Sequence, residues 1–349
     1  MTTSSRRTLL GGSVAAAAFG PGVTAGAAAE SPAAGFPVLD VRAFGAAGDG
    51  QSLDTRAIQA AIDKAEAAGG GWVYVPPGNY VTGTLHLKNR VTLYLEAGAT
   101  IRGSGVGLWM RDGGLIEGWT VNNISMTLTG GGQPIYMTSY PRSRLPEPGA
   151  RREEERPAGT VRSIMISDVT AIADGCIFLS GMAEKPLEGI VIENVRIRMQ
   201  GGRQKDLHAE PPYPFPVWGH RRSPCDVFCR YVDGLKLRDI HLTWGSEEKP
   251  EWGSAIRCRD VTNLEIAGFN GRQSLGSDAP AISLAGTRHA YIHDCWAPEG
   301  TGVFLSLDPG AGDVALMNNN LSRAREAAVC ASGVDRRELH ESGNRTPKG

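Results

Sequence analysis

Two columns of side chains in this sequence combine aromatic rings with arginines. They come from short segments in which apolar residues alternate with other residues, so every second side chain points to the same side of a β-strand. The first predicted outward column is Trp109, Tyr136, Phe178, Phe228, Arg257, Ser283 and Phe304, and the second is Arg111, Thr138, Ser180, Arg230, Arg259, Ala285 and Ser306. Aromatic faces stack on sugar rings, and arginine pairs with carboxylates through two parallel hydrogen bonds. The columns therefore predict a surface for an acidic polysaccharide such as a uronate polymer.

The same aromatic residues have a second interpretation. Two long excursions, 141–160 and 199–224, interrupt the pattern, and the first is rich in proline and charge. Loops of this kind fold back as lids or stay mobile. If one of them covers the column, the rings are packing residues and not sugar contacts, and the sequence leaves both interpretations open.

Candidate catalytic residues are few. Asp112 and Glu117 flank the Gly113-Gly114 turn beside Arg111 and could work together as acid and base, or simply form a solvated turn. Asp174 is followed by a glycine and a cysteine, and its flanking residues favour a turn role over a catalytic one.

A further candidate lies in the second excursion. His208 stands between Asp206 and Glu210, where it could serve as a general base or as half of a metal site, although such a trio is more often loop surface. No metal or cofactor is expected.

These residues must be positioned by a repeat. An apolar pair at i and i+2, followed by polar residues with Asn or Asp, begins at Trp119, Ile164, Ile190, Leu235, Leu264, Ala290 and Val314. The starts are 45, 26, 45, 29, 26 and 24 residues apart. A period in the mid-twenties with period-2 strands inside it predicts an all-β solenoid.

Around this repeat the chain divides into four predicted parts. Residues 1–29 contain Arg6-Arg7 before an Ala/Gly-rich run, which is similar to a twin-arginine signal and predicts export from a bacterial cell. Residues 36–104 form an N-terminal cap and the first rungs, 105–330 the remaining rungs, and 331–349 a C-terminal tail. One helix, Thr55 to Ala68 with Asp54 as its N-cap, covers the open end of the solenoid.

Bulk composition narrows the possible partners. The 349 residues carry a formal charge of -1, with 21% charged residues, so nothing predicts binding to nucleic acid. The N-terminal apolar run is short and broken by glycine, which argues against a membrane anchor. Among the six cysteines there is no CxxC and no metal-binding spacing, and Cys229 and Cys258 are predicted to lie inward on successive rungs. A monomer is expected.

The segment DVRAFGAAGDGQSLDTRAIQAAID followed by GGGWVYVPPGNYVTGTLHLKNRVTLYLEAGATIRGS resembles the N-terminal part of the polygalacturonases of glycoside hydrolase family 28. Residues 161–197 and 227–244 are similar to later rungs of bacterial members. The resemblance implies a right-handed parallel β-helix with one capping helix, which acts on pectic polysaccharides through a groove on the strand face described above. It also implies that Tyr140 contacts substrate.

The chain departs from this family where the family does its chemistry. GVGLWMRDGGLIEG resembles the rung with an Arg-Ile-Lys substrate-binding triplet, but Trp109, Met110 and Arg111 stand at those positions. The Asn-Thr-Asp, Asp-Asp and Gly-His-Gly motifs that carry catalysis in the family do not occur, and Ser104 runs directly into Gly105. Several rungs are predicted to have been removed in phase, which a solenoid tolerates because each rung contacts only its neighbours.

Three functions follow from these observations. The resemblance implies hydrolysis of glycosidic bonds in pectic or other acidic polysaccharides. The missing carboxylates favour a binding protein that has lost catalysis, because an inverting glycosidase needs an acid and a base on opposite sides of the scissile bond. A uronate lyase, with a basic residue such as Arg111 removing the C5 proton, is a third possibility, but no acidic cluster for Ca²⁺ is seen.

Overall fold

A computed structural model describes residues 37–83, 85–102, 105–110, 113–128, 132–139, 157–200, 225–246 and 248–347. The helix is α1 (Thr55–Ala67), and short 3-10 turns occupy Val41–Phe44, Pro250–Trp252 and Arg336–Glu338. The strands are β1 (Val38–Asp40), β2 (Asp49–Leu53), β3 (Gly71–Val75), β4 (Gly78–Val81), β5 (Val91–Leu95), β6 (Ala99–Arg102), β7 (Val106–Met110), β8 (Leu115–Thr127), β9 (Ile135–Ser139), β10 (Thr160–Ala173), β11 (Ile177–Ser180), β12 (Leu187–Met199), β13 (Cys225–Trp244), β14 (Ser254–Ala267), β15 (Ile282–Ala285), β16 (Arg288–His293), β17 (Val303–Leu307), β18 (Gly312–Met317), β19 (Glu326–Cys330) and β20 (Leu339–Ser342).

The strands stack in parallel, rung upon rung, as a right-handed parallel β-helix. What we call the first face consists of β7, β9, β11, the N-terminal halves of β13 and β14, and then β15, β17 and β19. The second face consists of β1, β3 and β5, the parts of β8, β10, β12, β13 and β14 that carry the repeat, and β16, β18 and β20. The predicted all-β solenoid with one helix is confirmed.

Left-handed corners explain why the repeat has its spacing. A residue with positive φ, the first corner, directly precedes each apolar pair: Gly118, Ser163, Gly189, Gly234, Asn263, His289 and Asp313. A second corner with positive φ follows five residues later: Asn123, Asp168, Asn194, Asp239, Gly268, Asp294 and Asn318. Glycine, asparagine and aspartate predominate because they tolerate this conformation best. The two corners fix the length of the strand between them, so the seven repeat starts are register partners of one another.

The core is the interior of this coil. Inward residues of successive rungs, such as Ile164, Ile190 and Leu235, are buried in one continuous cluster. Cys229 and Cys258 are register partners with no exposed surface, as predicted. Burial of apolar surface stabilises the stack by roughly 25 cal/mol per Å².

The N-terminal segment matches its prediction with one refinement. The apolar face of α1 is buried in the common core. Asp54 occupies the N-cap position, but its buried carboxylate accepts hydrogen bonds from the amides of Ala47 (2.7 Å) and Gly48 (3.2 Å) and not from the helix. Asp49 is a turn former, since it accepts from the amides of Gln51 (2.8 Å) and Ser52 (2.7 Å).

At the junction between the first rungs and the rest, the strand pairing on the second face is short. β5 pairs with β8 only at Leu93 and Tyr94, whereas β10 pairs with β12 from Arg162 to Ala173. The separate sheet β2-β4-β6 ends at β6. An apolar cavity of about 50 Å³ lies here, lined by residues that include Leu93, Leu95, Ile101, Val106, Val121 and Ile124. Its position next to Gly105 coincides with the predicted excision of rungs.

The C-terminal end differs from its prediction. Residues 331–349 are not a simple tail, because β20 lies inside this range and pairs with β18. Leu339 supplies a buried apolar side chain, and Asn344 donates to the Leu316 carbonyl (2.7 Å) and accepts from the Asn319 side chain (3.0 Å). These contacts add another rung to the stack.

Candidate functional site: an arginine row on the first face

The register of the first face corrects the predicted columns at both ends. Trp109 pairs with Thr138 and so belongs to the second column, while Gly107 pairs with Tyr136 in the first. Ser306, and not Phe304, pairs with Ser283. Phe304 instead lies fully buried in the core, with its ring centroid 6.3 Å from that of Phe269. Between these ends the predicted partners are correct.

The aromatic part of the first face is a closed stack of rings. Tyr136 and Phe178 have centroids 5.6 Å apart, and Phe178 and Phe228 have centroids 5.3 Å apart, with 14° between the planes in both pairs. Phe178 is 1% exposed and Phe228 is 2% exposed, and both pack with Cys176 and Cys225. The structure therefore supports the interpretation in which these rings are covered. Phe178 and Phe228 are therefore packing residues and offer no ring face to a sugar.

The part of the first face that follows the rings is basic. Arg230 on β13 and Arg259 on β14 are register partners, and Arg257 is the partner of Phe228 on one side and Ser283 on the other. All three arginines are half-buried. Since adjacent strands lie about 4.8 Å apart, the three guanidinium groups concentrate positive charge on two neighbouring rungs. We call Arg230, Arg257 and Arg259 the arginine row.

Arg230 has a defined environment. Its guanidinium carbon lies 4.7 Å from the centroid of the Tyr231 ring, and its Nη2 donates to the Tyr231 hydroxyl at 3.2 Å. The Arg230 carbonyl accepts from the Gly181 amide at 3.0 Å. A cation over an aromatic face is held in orientation as well as stabilised, so this arginine is positioned before any ligand binds.

A carboxylate adjoins the arginine row. Asp308 follows β17 and accepts hydrogen bonds from the hydroxyls of Ser283 (2.6 Å) and Ser306 (3.0 Å). Ser283 is the register partner of Arg257, so one residue separates this carboxylate from the row. Sequence reasoning missed Asp308 because it placed Phe304 in the column. With Ser306 facing outward, the alternation along the strand would have placed Asp308 on the same face.

The other predicted residues are distributed as follows. Glu117 forms an exposed cross-strand ion pair with Arg162 (2.7 Å), and this contact raises the pKa of Arg162. That geometry supports the interpretation of Glu117 as part of a solvated turn. Asp174 lies in the turn between β10 and β11, as predicted. Arg111, Asp112, Tyr140 and His208 lie outside the described residues, as does the side chain of Trp109.

One buried acid was not anticipated. Asp226, next to Cys225 at the start of β13, has no exposed surface, and within the described chain neither carboxylate oxygen has a hydrogen-bond partner. Burial, followed by repulsion from Glu248, holds the pKa of Asp226 well above its usual range. An acid so enclosed does not reach a polymer on the surface.

Three further properties concern metal ligands, cysteines and membrane-spanning helices. In the part of the chain that the structure describes, no group of three or more His, Cys, Asp or Glu side chains is arranged to hold a metal ion. All six cysteines are free thiols. No helix among the described residues is long and apolar enough to cross a membrane.

Comparison with known proteins finds sequence similarity in the first rungs. Residues 38–101 match the family described as rhamnogalacturonase A/epimerase, pectate lyase-like. The chain is 42% identical over 95 residues to the mannuronan C5-epimerase AlgE3 of Azotobacter vinelandii, which is 27% of this chain and 5% of that protein. It is 46% identical over 67 residues to the exo-poly-alpha-D-galacturonosidase of Dickeya chrysanthemi, which is 19% of this chain and 11% of that protein. The chain thus spans a small fraction of these relatives.

Solved structures align with most of the chain at low identity and with low TM-scores. The exopolygalacturonase of Thermotoga maritima covers 90% of this chain and 94% of its own, with 14% identity and a TM-score of 0.33. The A-module of the Azotobacter vinelandii mannuronan C-5 epimerase AlgE6 covers 89% of this chain and 100% of its own, with 14% identity and a TM-score of 0.33.

Proposed function

We propose that the protein binds an acidic polysaccharide along the first face, with uronate carboxylates paired to the arginine row. The observation that carries this proposal is the placement of Arg230, Arg257 and Arg259 on two adjacent rungs, half-exposed and partly preoriented. Guanidinium forks form charge-assisted, bidentate hydrogen bonds with carboxylates, and a repeating polymer offers a carboxylate at regular intervals. The matches to uronate-modifying relatives agree with this choice of ligand. Export, as predicted from Arg6-Arg7, would deliver the protein to such polymers.

We further propose that the site modifies its ligand, with Asp308 as the reacting group. Hydrolysis of a glycosidic bond requires two carboxyl groups. Asp308 is one carboxylate beside the arginine row, whereas Glu326, the exposed acid at the start of β19, is the register partner of Val303 and not of a residue next to the row. One carboxylate beside a guanidinium suits a different reaction. Pairing the uronate carboxylate with Arg257 acidifies the C5 proton next to it, and Asp308 can accept that proton. The resulting carbanion either expels the 4-linked sugar oxygen, as in a lyase, or is reprotonated, as in an epimerase.

Binding is tested by affinity electrophoresis and calorimetry with polygalacturonate and polymannuronate. The double variant Arg257→Ala/Arg259→Ala should weaken binding by about 10- to 100-fold, because solvent-screened ion pairs with the polymer contribute roughly 1 kcal/mol each and the two pairs are lost together. Arg196→Ala, an exposed arginine beyond the second corner of its rung, is the matched control and should bind as the wild type does. Undiminished binding by the double variant would show that the polymer lies elsewhere.

The reaction is read from three products measured side by side on the same two polymers and on rhamnogalacturonan. New reducing ends without unsaturation indicate hydrolysis, unsaturated ends indicate a lyase, and a changed uronate composition by NMR indicates an epimerase. Asp308→Asn should abolish turnover while changing affinity by less than about twofold. Full turnover in this variant would exclude Asp308 as the reacting group, and binding without any product would leave a carbohydrate-binding protein.

A further inference from the structure

A second set of rings lies on the second face, in the first rungs and away from the arginine row. Trp72 and Tyr74 point outward from β3, where they alternate with the buried residues Val73 and Val75. Tyr94 points outward from β5 and is the register partner of Tyr74. The Tyr94 centroid lies 5.8 Å from that of Trp72 and 6.0 Å from that of Tyr74, with 17° between the two tyrosine planes.

This set is more open than Phe178 and Phe228, because Trp72 is exposed while Tyr74 and Tyr94 are half-buried. Trp72 is 46% exposed, and Val38, its register partner on β1, is 68% exposed. Phe178 and Phe228 resemble it in stacking but are buried. Burying large aromatic rings is favourable, and an exposed aromatic cluster marks an interaction surface more often than a scattered apolar residue does.

The charges around these rings indicate the kind of partner. Asp40 is the register partner of Tyr74, and the Glu96 side chain interacts with the Tyr74 hydroxyl. Desolvation first and the Glu96 carboxylate second raise the pKa of Tyr74, so its hydroxyl remains a hydrogen-bond donor. Two carboxylates at this edge repel a uronate and accept hydrogen bonds from sugar hydroxyls.

We propose that Trp72, Tyr74 and Tyr94 form a second carbohydrate-binding surface, which takes an uncharged polysaccharide of hexose sugars. The flat faces of such sugars stack on the rings, while their hydroxyls donate to Glu96 and Asp40. The two surfaces divide their ligands by charge, since the arginine row takes the acidic chain and the aromatic surface takes the neutral one. This proposal does not depend on the function proposed above, because no residue is shared.

The test is affinity electrophoresis of the full chain in gels that contain soluble galactan, glucomannan or β-glucan, with polygalacturonate as the acidic comparison. At least one neutral polymer should retard the wild type. Trp72→Ala and Tyr94→Ala should each weaken that retardation by about tenfold, whereas Trp72→Phe should retain most of it. Because Trp72 is half-exposed, we expect these variants to fold, and a thermal melt checks this.

Matched controls separate this surface from other exposed rings and from the arginine row. Tyr291→Ala and Trp296→Ala, which remove rings that are 42% and 48% exposed in later rungs, should leave the retardation unchanged, as should Arg257→Ala/Arg259→Ala. Retardation by none of the three neutral polymers, or retardation that survives Trp72→Ala, overturns the proposal. Loss of polygalacturonate binding in Trp72→Ala also overturns it, because it would show that this surface takes the acidic chain.

Discussion

The first rungs and the central rungs are built from the same outward-inward alternation, yet they are joined in different ways. Between β10, β12 and β13 the pairing runs along almost the whole strand. Between β5 and β8 the pairing is reduced to Leu93 and Tyr94, and an apolar cavity is lined by residues of both strands. In a solenoid each interface between rungs contributes its own stability, so we expect the short pairing at the junction to stabilise the stack less than the central interfaces do.

The largest expected effect concerns core substitutions on the two sides of this comparison. Leu237→Ala, in the tightly paired rungs, should lower the free energy of unfolding by about 2–5 kcal/mol, because it opens a new void in close-packed surroundings. Leu93→Ala enlarges a cavity that already exists and should cost roughly half as much. Urea denaturation followed by circular dichroism measures both. Equal costs would mean that the junction is as well packed as the centre.

A smaller effect tests the buried acid of the central rungs. In the unfolded chain Asp226 titrates near pH 4 (about 3.9), and its folded pKa is raised by burial. The unfolded chain therefore loses this proton first, and stability falls as pH rises from about 4 toward the folded pKa. Asp226→Asn should match the wild type near pH 4 and exceed it at pH 8, by about 1–3 kcal/mol.

The measurement is the free energy of unfolding in urea at pH 4, 6 and 8. If the variant and the wild type show the same dependence on pH, Asp226 is not the group responsible. Asp49 is a suitable control, because hydrogen bonds from the amides of Ser52 and Gln51 lower its pKa to about 2. Asp49→Asn should leave the difference between pH 4 and pH 8 unchanged.

The smallest effect is a stabilisation at the junction. Gly107 lines the cavity, and a methyl group added there meets open space. Gly107→Ala should raise the free energy of unfolding by about 0.4–1 kcal/mol, because it restricts the unfolded chain without strain. Gly105→Ala is the opposite case, since φ is +90° and the new Cβ would overlap the Gln133 carbonyl oxygen. A calorimetric midpoint that rises for both variants would contradict this account.

How far the sequence predicts the structure depends on the face. On the second face the register from Trp119 to Val314 is correct in all seven rungs, because two left-handed corners hold each strand at a fixed length. On the first face the predicted positions of Trp109 and Phe304 are wrong by two residues along the strand. The strands there follow segments of variable length, and no second corner fixes which residues pair. Alternation also gives the direction of a side chain but not what covers it, so the burial of Phe178 and Phe228 was not predictable.

The residues of the candidate site were predictable where strand alternation alone determines them, and not where burial or exact register is needed. Arg230 and Arg257 were predicted from their strand positions, and Arg259 appeared in the second column. Asp308 required the corrected register, and the open rings around Trp72 required knowledge of which side chains remain exposed. Burial is a property of the whole assembly of rungs, and a single sequence does not contain it.

The constant interval of five residues between the two corners also governs how such a chain changes length over evolutionary time. Rung starts vary from 24 to 45 residues apart, yet this interval is the same in every rung from Gly118 to Asn318. The differences in spacing therefore fall outside it, in segments that lie before or after the first-face strands. A change of length in those segments leaves the strand between the corners intact, whereas an insertion of one residue between the corners would turn its inward side chains to the opposite face.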